Sequence, residues 1–287
     1  MIGRMTFERV CILGVGLLGG SLALALRNVV TDCRVVGYGH RQSTLDTALS
    51  RDVIHESSTD PAEAVRDADL VVLCTPVGTF SDLIHRIGPA LRADAIVTDV
   101  GSTKRSIVVA SKALPSPGLF VGSHPMAGSE KRGVEYADGN LFQSANCVLT
   151  PTAETDATAL ERVDTMWRSI GMRTLRMTPE EHDARVATAS HVPHAVAAAL
   201  MLLQDEGSLA IAGKGLADTT RIAAGDAGLW RDIFLDNGDN LTAGLEQMKS
   251  RIDRLLGYVR DNDAAAVANW LNEASDRRAE FACRLKP

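Results

Sequence analysis

The chain has 287 residues, 45% hydrophobic and 23% charged, with a formal net charge of −6. That is the composition of a globular protein long enough for two domains or one large one, and its acidic balance offers no polycationic surface to nucleic acid. The five cysteines are odd in number, scattered and without a C-x-x-C pair, and no apolar run reaches membrane-spanning length. A disulfide frame, a zinc site and a membrane anchor are therefore not expected, and a reducing cytoplasm is.

Residues 9–14 read as a short apolar strand, followed by a glycine turn and a helix over 17–28. The segment resembles a signal peptide in its apolar run, but four glycines weaken it as a helical core, and a second strand follows at 34–38. A helix from Ser43 to Ser50 is expected with Ser43 as its cap, and Asp60-Pro61 opens another short helix. Residues 68–74 form a continuous apolar run of strand length, as in a parallel strand buried on both faces. A helix over 79–91, a strand over 95–100, a helix capped by Ser102 or Thr103, and strands at 119–123 and 146–150 follow. A helix over 156–170 and a strand near 174–177 complete this part. Alternation of strand and helix predicts an α/β fold with a doubly wound parallel sheet.

After Thr178-Pro179 strand-like runs stop. Residues 180–204 read as one long helix bent at Pro193, then a small-residue stretch to 228. A helix over 230–261 follows with a break near Asn237-Gly238, and a last helix is capped by Asp261 or Asp263. The expected division is 1–177, a dinucleotide-binding domain of Rossmann type, and 178–287, an all-helical domain whose apolar stripes need a partner surface, as in a homodimer.

The glycine turn carries Gly14, Gly16 and Gly19 in the G-x-G-x-x-G spacing, with Leu17 and Leu18 opening the helix. The first glycine permits the tight turn, the second lets backbone approach a pyrophosphate, and the third lets helix and strand pack closely. A dinucleotide that binds there also meets Thr75 and Pro76 after the next strand. At the end of strand two, where an NAD site places a carboxylate, the chain has Gly39, followed by His40, Arg41 and Ser43. Arg41 can pair a 2′-phosphate in forked geometry, so the residues favour NADP over NAD.

Ligands of open α/β sheets lie at the carboxyl ends of strands. Three such ends carry polar motifs: Cys74-Thr-Pro76, Asp99-Val-Gly-Ser-Thr-Lys104 and Ser123-His-Pro-Met-Ala-Gly-Ser-Glu130. His124 suits a partner for a substrate hydroxyl during hydride removal, with Ser102 beside it. Singly, each has a bland reading, a packed loop histidine and a helix cap; on adjacent strand ends beside a nucleotide site they read as a catalytic pair. Asp183, His191 and His194 share one face of the long helix. No third ligand accompanies the two histidines, and no metal is expected. Arg221 stands in an otherwise uncharged stretch and suits an anionic substrate or an internal ion pair.

These motifs, with Gly14-Val-Gly-Leu-Leu-Gly-Gly-Ser21, Glu180-Glu-His-Asp183, Ser190-His-Val-Pro-His194 and Thr220-Arg-Ile-Ala223, resemble the prephenate/arogenate dehydrogenases of tyrosine biosynthesis over nearly the whole chain. The resemblance implies oxidative decarboxylation of prephenate or arogenate with hydride transfer to the nicotinamide. It implies His124 at the substrate C4 hydroxyl, Ser102 as its companion and Arg221 on a substrate carboxylate. Asp183, His191, His194 and Ser129 would line the substrate pocket, with Glu130 at its entrance. No fused regulatory or mutase domain is expected after the helical segment, so inhibition by tyrosine, if any, is expected at the active site. Competing readings are a general hydroxy-acid dehydrogenase or imine reductase, and a redox sensor that binds NADPH without turnover.

Overall fold

Eight strands form one sheet in the order β3-β2-β1-β4-β5-β6-β7-β8. The structure is a computed structural model and describes residues 7–29, 33–129 and 131–284. In chain order the elements are β1 (Arg9–Leu13), α1 (Leu17–Val29), β2 (Arg34–Tyr38), α2 (Gln42–Ser50), β3 (Glu56–Ser58), α3 (Pro61–Ala64), β4 (Leu70–Leu73) and α4 (Phe80–Ile87). Then come β5 (Ile96–Asp99), α5 (Arg105–Ser111), β6 (Phe120–Pro125), β7 (Asn146–Thr150), α6 (Ala157–Ser169) and β8 (Arg173–Arg176). The helical part holds α7 (Pro179–Val186), α8 (Val192–Leu202), α9 (Glu206–Ala210), α10 (Lys214–Thr220), α11 (Ala227–Asp236), α12 (Gly238–Arg260) and α13 (Ala264–Arg284).

The period-two pleat sorts the strand side chains onto two cores. Val10, Ile12, Leu70 and Val72 face Leu22 and Leu26 of α1 and Val163, Met166 and Trp167 of α6. Their neighbours Cys11, Leu13, Val71 and Leu73 face Phe80, Leu83, Ile84 and Ile87 of α4 and Ile107 of α5. Both faces are covered, which is why residues 10–13 of β1 and all of β4 are apolar. The strand order reverses between β1 and β4, and the glycine turn stands at that switch point, where a ligand crevice opens.

Several expectations are corrected. The sheet is not wholly parallel: β7 runs antiparallel to β6, while β8 is parallel to β7. The edge strand β3 was not anticipated, because Glu56-Ser-Ser58 has no apolar alternation; Arg9 and Arg34 hold it by pairing with Glu56. Ser43 does not cap α2, which begins at Gln42 with Arg41 in the cap position. Neither Ser102 nor Thr103 caps α5; its first amides are taken by a carboxylate from α7. The expected helix over 180–204 comprises α7, a π-turn over Ala187–His191, and α8. Pro193 lacks the amide that would continue α-helical bonding, and the widened turn lies immediately before it.

The chain divides into two compact units, Met1–Gly238 and Asp239–Pro287. The second holds nearly all of α12 together with α13, joined through Asn262 in left-handed conformation, and Asp263 caps α13 by accepting from the Ala266 amide. Ile252, Leu256, Val259, Leu271 and Phe281 of this unit are exposed. Among the described residues no helix is long and apolar enough to cross a membrane.

Candidate active site

The glycine turn has the geometry a dinucleotide needs. Gly14 has φ +112°, and a Cβ there would sit 2.8 Å from the Cys74 carbonyl carbon and from Thr75 Cγ2. A Cβ on Gly19 would lie 2.1 Å from the Gly14 oxygen, so only glycine lets α1 approach β1 this closely. Gly16 has no described residue within 4 Å of its Cβ position. It is the open place in the turn, where backbone can meet a phosphate and the start of α1 favours negative charge. Leu17 and Leu18 are half-buried at that start, and Thr75 is bonded to Thr79 (Oγ1···Oγ1 2.7 Å) beside exposed Pro76. These residues fit a nicotinamide dinucleotide. Past β2, Gly39 is half-buried and His40, Arg41 and Ser43 are exposed at the start of α2. The Arg41 guanidinium bonds to no described residue.

His124 is not in the loop after β6 but within the strand, one residue before its end, and is buried. The strand is anchored underneath. Thr98 Oγ1 meets Ser123 Oγ at 2.8 Å, Trp167 Nε1 donates to Ser123 Oγ (3.1 Å), and Asp99 accepts from the Ser123 amide (2.9 Å). Lys104, fully buried, pairs with Asp99 and donates to the Ser123 carbonyl (2.8 Å). His124 Nδ1 lies 2.9 Å from His182 Nε2, and His182 Nδ1 lies 2.8 Å from Asp183 Oδ1. Burial, with His182, Lys104 and His191 nearby, pushes the His124 pKa well below its ordinary value, so the ring is neutral at pH 7. Its Nε2 bonds to no described residue.

Asp183 is fastened by the protein's own donors. The amides of Lys104 (2.8 Å) and Arg105 (3.0 Å) and the Arg105 Nε (3.3 Å) all reach its carboxylate. Burial pushes its carboxyl pKa up, but hydrogen bonds from His182, Arg105 and Lys104 outweigh burial and hold it below the ordinary range. Its backbone oxygen accepts from Asn237 Nδ2 (2.8 Å), which also lies 3.3 Å from His191 Nδ1. Burial lowers His191 to about 4. His194 stacks on Trp230 with ring centroids 3.5 Å apart, and its buried Nδ1 has no partner among the described residues. Gly225 is needed there, because a Cβ would fall 2.5 Å from Trp230 Nε1 and 2.8 Å from His194 Cε1.

The structure brings His124, Asp183 and His191 into one hydrogen-bonded neighbourhood and sets His194 beside it. Arg221 opens the short turn Arg221–Ala224 that packs on α8. It is exposed and ion-paired with no described residue. Ser102 is half-buried after β5, with no hydrogen bond to His124. Ser129 is exposed, its Oγ accepting from the Lys131 amide (3.2 Å), and Glu130 lies outside the described residues. Arg132 pairs with Asp226, the cap of α11, tying this loop to the helical part. His182, Lys104, Asn237 and Trp230 were not anticipated. His182 could have been found from its neighbour Asp183, but its pairing with His124 spans 58 positions.

A doubly wound sheet with a glycine turn at its switch point and a buried histidine near the end of β6, two strands beyond β4, defines a nucleotide-dependent dehydrogenase. Family models for "prephenate dehydrogenase, nucleotide-binding domain" and "prephenate dehydrogenase, dimerization domain" match residues 22–176 and 178–273. The chain belongs to the prephenate dehydrogenase family. It is 33% identical to the prephenate dehydrogenase of Bacillus subtilis, over 97% of this chain and 77% of that protein. The A. aeolicus prephenate dehydrogenase, solved in complex with hydroxyphenyl propionate and NAD+, superimposes with TM-score 0.91 at 33% identity, over 97% of this chain and 100% of that one. Synechocystis arogenate dehydrogenase gives TM-score 0.81 at 30% identity, over 95% and 99%.

Proposed function

We propose that the protein oxidatively decarboxylates prephenate to 4-hydroxyphenylpyruvate, passing the hydride preferentially to NADP. The observation that carries this reading is a buried His124 at the carboxyl edge of the sheet, its pKa pushed down by burial, its Nδ1 taken by His182 and its Nε2 without a partner among the described residues. A nicotinamide nucleotide, when bound, supplies the hydride acceptor. His124 accepts a hydrogen bond from the C4 hydroxyl and stabilises the positive charge that grows at C4 as the hydride departs. Loss of carbon dioxide from C1 returns the electron pair to the ring, which becomes aromatic, and the hydroxyl remains as the phenol. Ser102 donates to or orients the same hydroxyl. Arg221 binds a substrate carboxylate, with His191, His194, Ser129 and Glu130 around it. Asp183 acts through His182, since the protein's own donors surround its carboxylate. The main contribution of the protein is orientation of an anionic substrate against the cofactor.

Absence of a carboxylate at Gly39, with exposed His40, Arg41 and Ser43 nearby, supports NADP. The junction of the two family matches supports domains 1–177 and 178–287, and the exposed apolar residues of α12 and α13 support a homodimer. Sedimentation at the mass of one chain would exclude that dimer. Scattered free cysteines fit a cytoplasmic enzyme. Arogenate is the second reading, favoured by the likeness to the Synechocystis enzyme. The deciding assay measures reduction of NADP and NAD separately with prephenate and arogenate. Fastest turnover with prephenate and NADP is expected, and Arg41→Ala should raise KM for NADP about tenfold or more while leaving NAD within about twofold. Equal effects on both nucleotides would remove Arg41 from the 2′-phosphate.

A further inference from the structure

We infer that Asp183 imposes opposite tautomers on two imidazoles of the site. Its carboxylate, through His182, leaves His124 with a bare Nε2; its backbone carbonyl, through Asn237, leaves His191 with a protonated Nε2. The consequence for catalysis rests on the proposed dehydrogenase reading, but the tautomers do not.

The argument starts from groups with a single hydrogen-bonding role. The Asp183 carboxylate already accepts two backbone amides and a guanidinium nitrogen, all obligate donors, so it is ionised and accepts only. His182 Nδ1, 2.8 Å away, must then carry hydrogen. Burial, with Lys104 nearby, outweighs the bond to Asp183 and holds the His182 pKa below its ordinary value, so the ring is neutral and its Nε2 is an acceptor. The remaining contact of that nitrogen is His124 Nδ1 at 2.9 Å, which must donate. In a neutral His124 the proton is then on Nδ1, and the free lone pair of Nε2 is the group that can take a hydroxyl hydrogen.

Asn237 is fixed as firmly from both ends. One side of its amide faces the Asp183 carbonyl, an obligate acceptor, at 2.8 Å. The other faces the Arg105 guanidinium, an obligate donor, at 3.2 Å. Only one orientation of the amide satisfies both, with Nδ2 toward Asp183. Its second hydrogen points to His191 Nδ1, which accepts, so a neutral His191 carries its proton on Nε2. His182 and Asn237 are thus positioning residues, and one aspartate orders an acceptor and a donor imidazole. An acceptor suits a substrate hydroxyl, and a donor suits a carbonyl or carboxylate oxygen.

The test is long-range 1H–15N correlation on the full chain labelled in its seven histidines, assigned by single replacement. At neutral pH, His124 and His182 are expected protonated at Nδ1 and His191 at Nε2. His182→Phe removes the acceptor and should release the His124 tautomer. It should lower kcat about a hundredfold or more while KM for prephenate stays within about threefold. His182→Gln, whose amide oxygen can accept the same hydrogen, should keep the Nδ1 proton and most of the rate. A protonated Nε2 on His124 in the unaltered protein overturns the inference, as does an unchanged tautomer and kcat in His182→Phe. Should neither substrate turn over, the spectra still decide the tautomers.

Discussion

At the scale of single residues, the proposed reaction separates binding from chemistry. Arg221 is exposed on a turn packed against α8, remote in chain position from the sheet, and in the proposed reaction its charge would attract an anion in ground state and transition state alike. In the same proposed reaction His124 would act where charge develops. His124→Asn is therefore expected to lower kcat by about 10²–10⁴ with KM changed by less than about threefold, whereas Arg221→Ala should raise KM at least about tenfold with kcat nearly kept. Steady-state kinetics on the two variants check both, and equal small losses would sink the assignments. The glycine turn was legible in the sequence because each of its glycines depends on residue type within a short motif. Lys104, His182 and Asn237 were not, because what matters about them is a partner far along the chain, and no periodicity joins Asn237 to Asp183 or His182 to His124.

At the scale of elements, the βα unit of β1 and α1 was readable because each glycine answers a local steric demand. The structure separates those demands in a way the motif alone does not. Gly14 is constrained by its positive φ and by the Cys74 carbonyl, while a Cβ on Gly16 would meet no described residue within 4 Å. Gly16→Ala should therefore fold with Tm within about 2 °C of the parent, yet weaken NADP about tenfold or more by filling the space the pyrophosphate needs. Gly14→Ala should lower Tm by about 5 °C or more before any ligand is added. Calorimetry with and without nucleotide distinguishes the two, and a Gly16→Ala variant that binds like the parent would move the phosphate site elsewhere. Helix starts were the least legible part of the sequence. α5 has its cap supplied by Asp183, 78 positions away from Arg105, and a local search for Ser or Thr caps cannot find it.

At the scale of the whole molecule, the same long-range bonds explain why compactness and sequence character divide the chain differently. Strand patterns end near residue 177, but Asp183 holds the start of α5 and Asn237 holds Asp183, so the first compact unit runs to Gly238. This joint is built from neutral buried histidines, which makes it sensitive to acid. Burial, joined for His124 by nearby His182, Lys104 and His191, lowers the pKa of His124, His182 and His191, the last to about 4, against about 6.5 for an unfolded histidine. Between those values the unfolded chain binds more protons than the folded one, so stability falls as pH falls. The stabilising contribution is complete above pH 6.5 and, for His191, is lost progressively down to about pH 4. One such shift is worth up to about 3 kcal/mol, so Tm should drop by about 5 °C or more between pH 7 and pH 4.5, ahead of the titration of most carboxylates. His191→Asn should flatten that slope. A Tm independent of pH over this window would mean that the imidazoles take up protons without penalty in the folded state, and a neutral His124 as hydroxyl acceptor would fail with it.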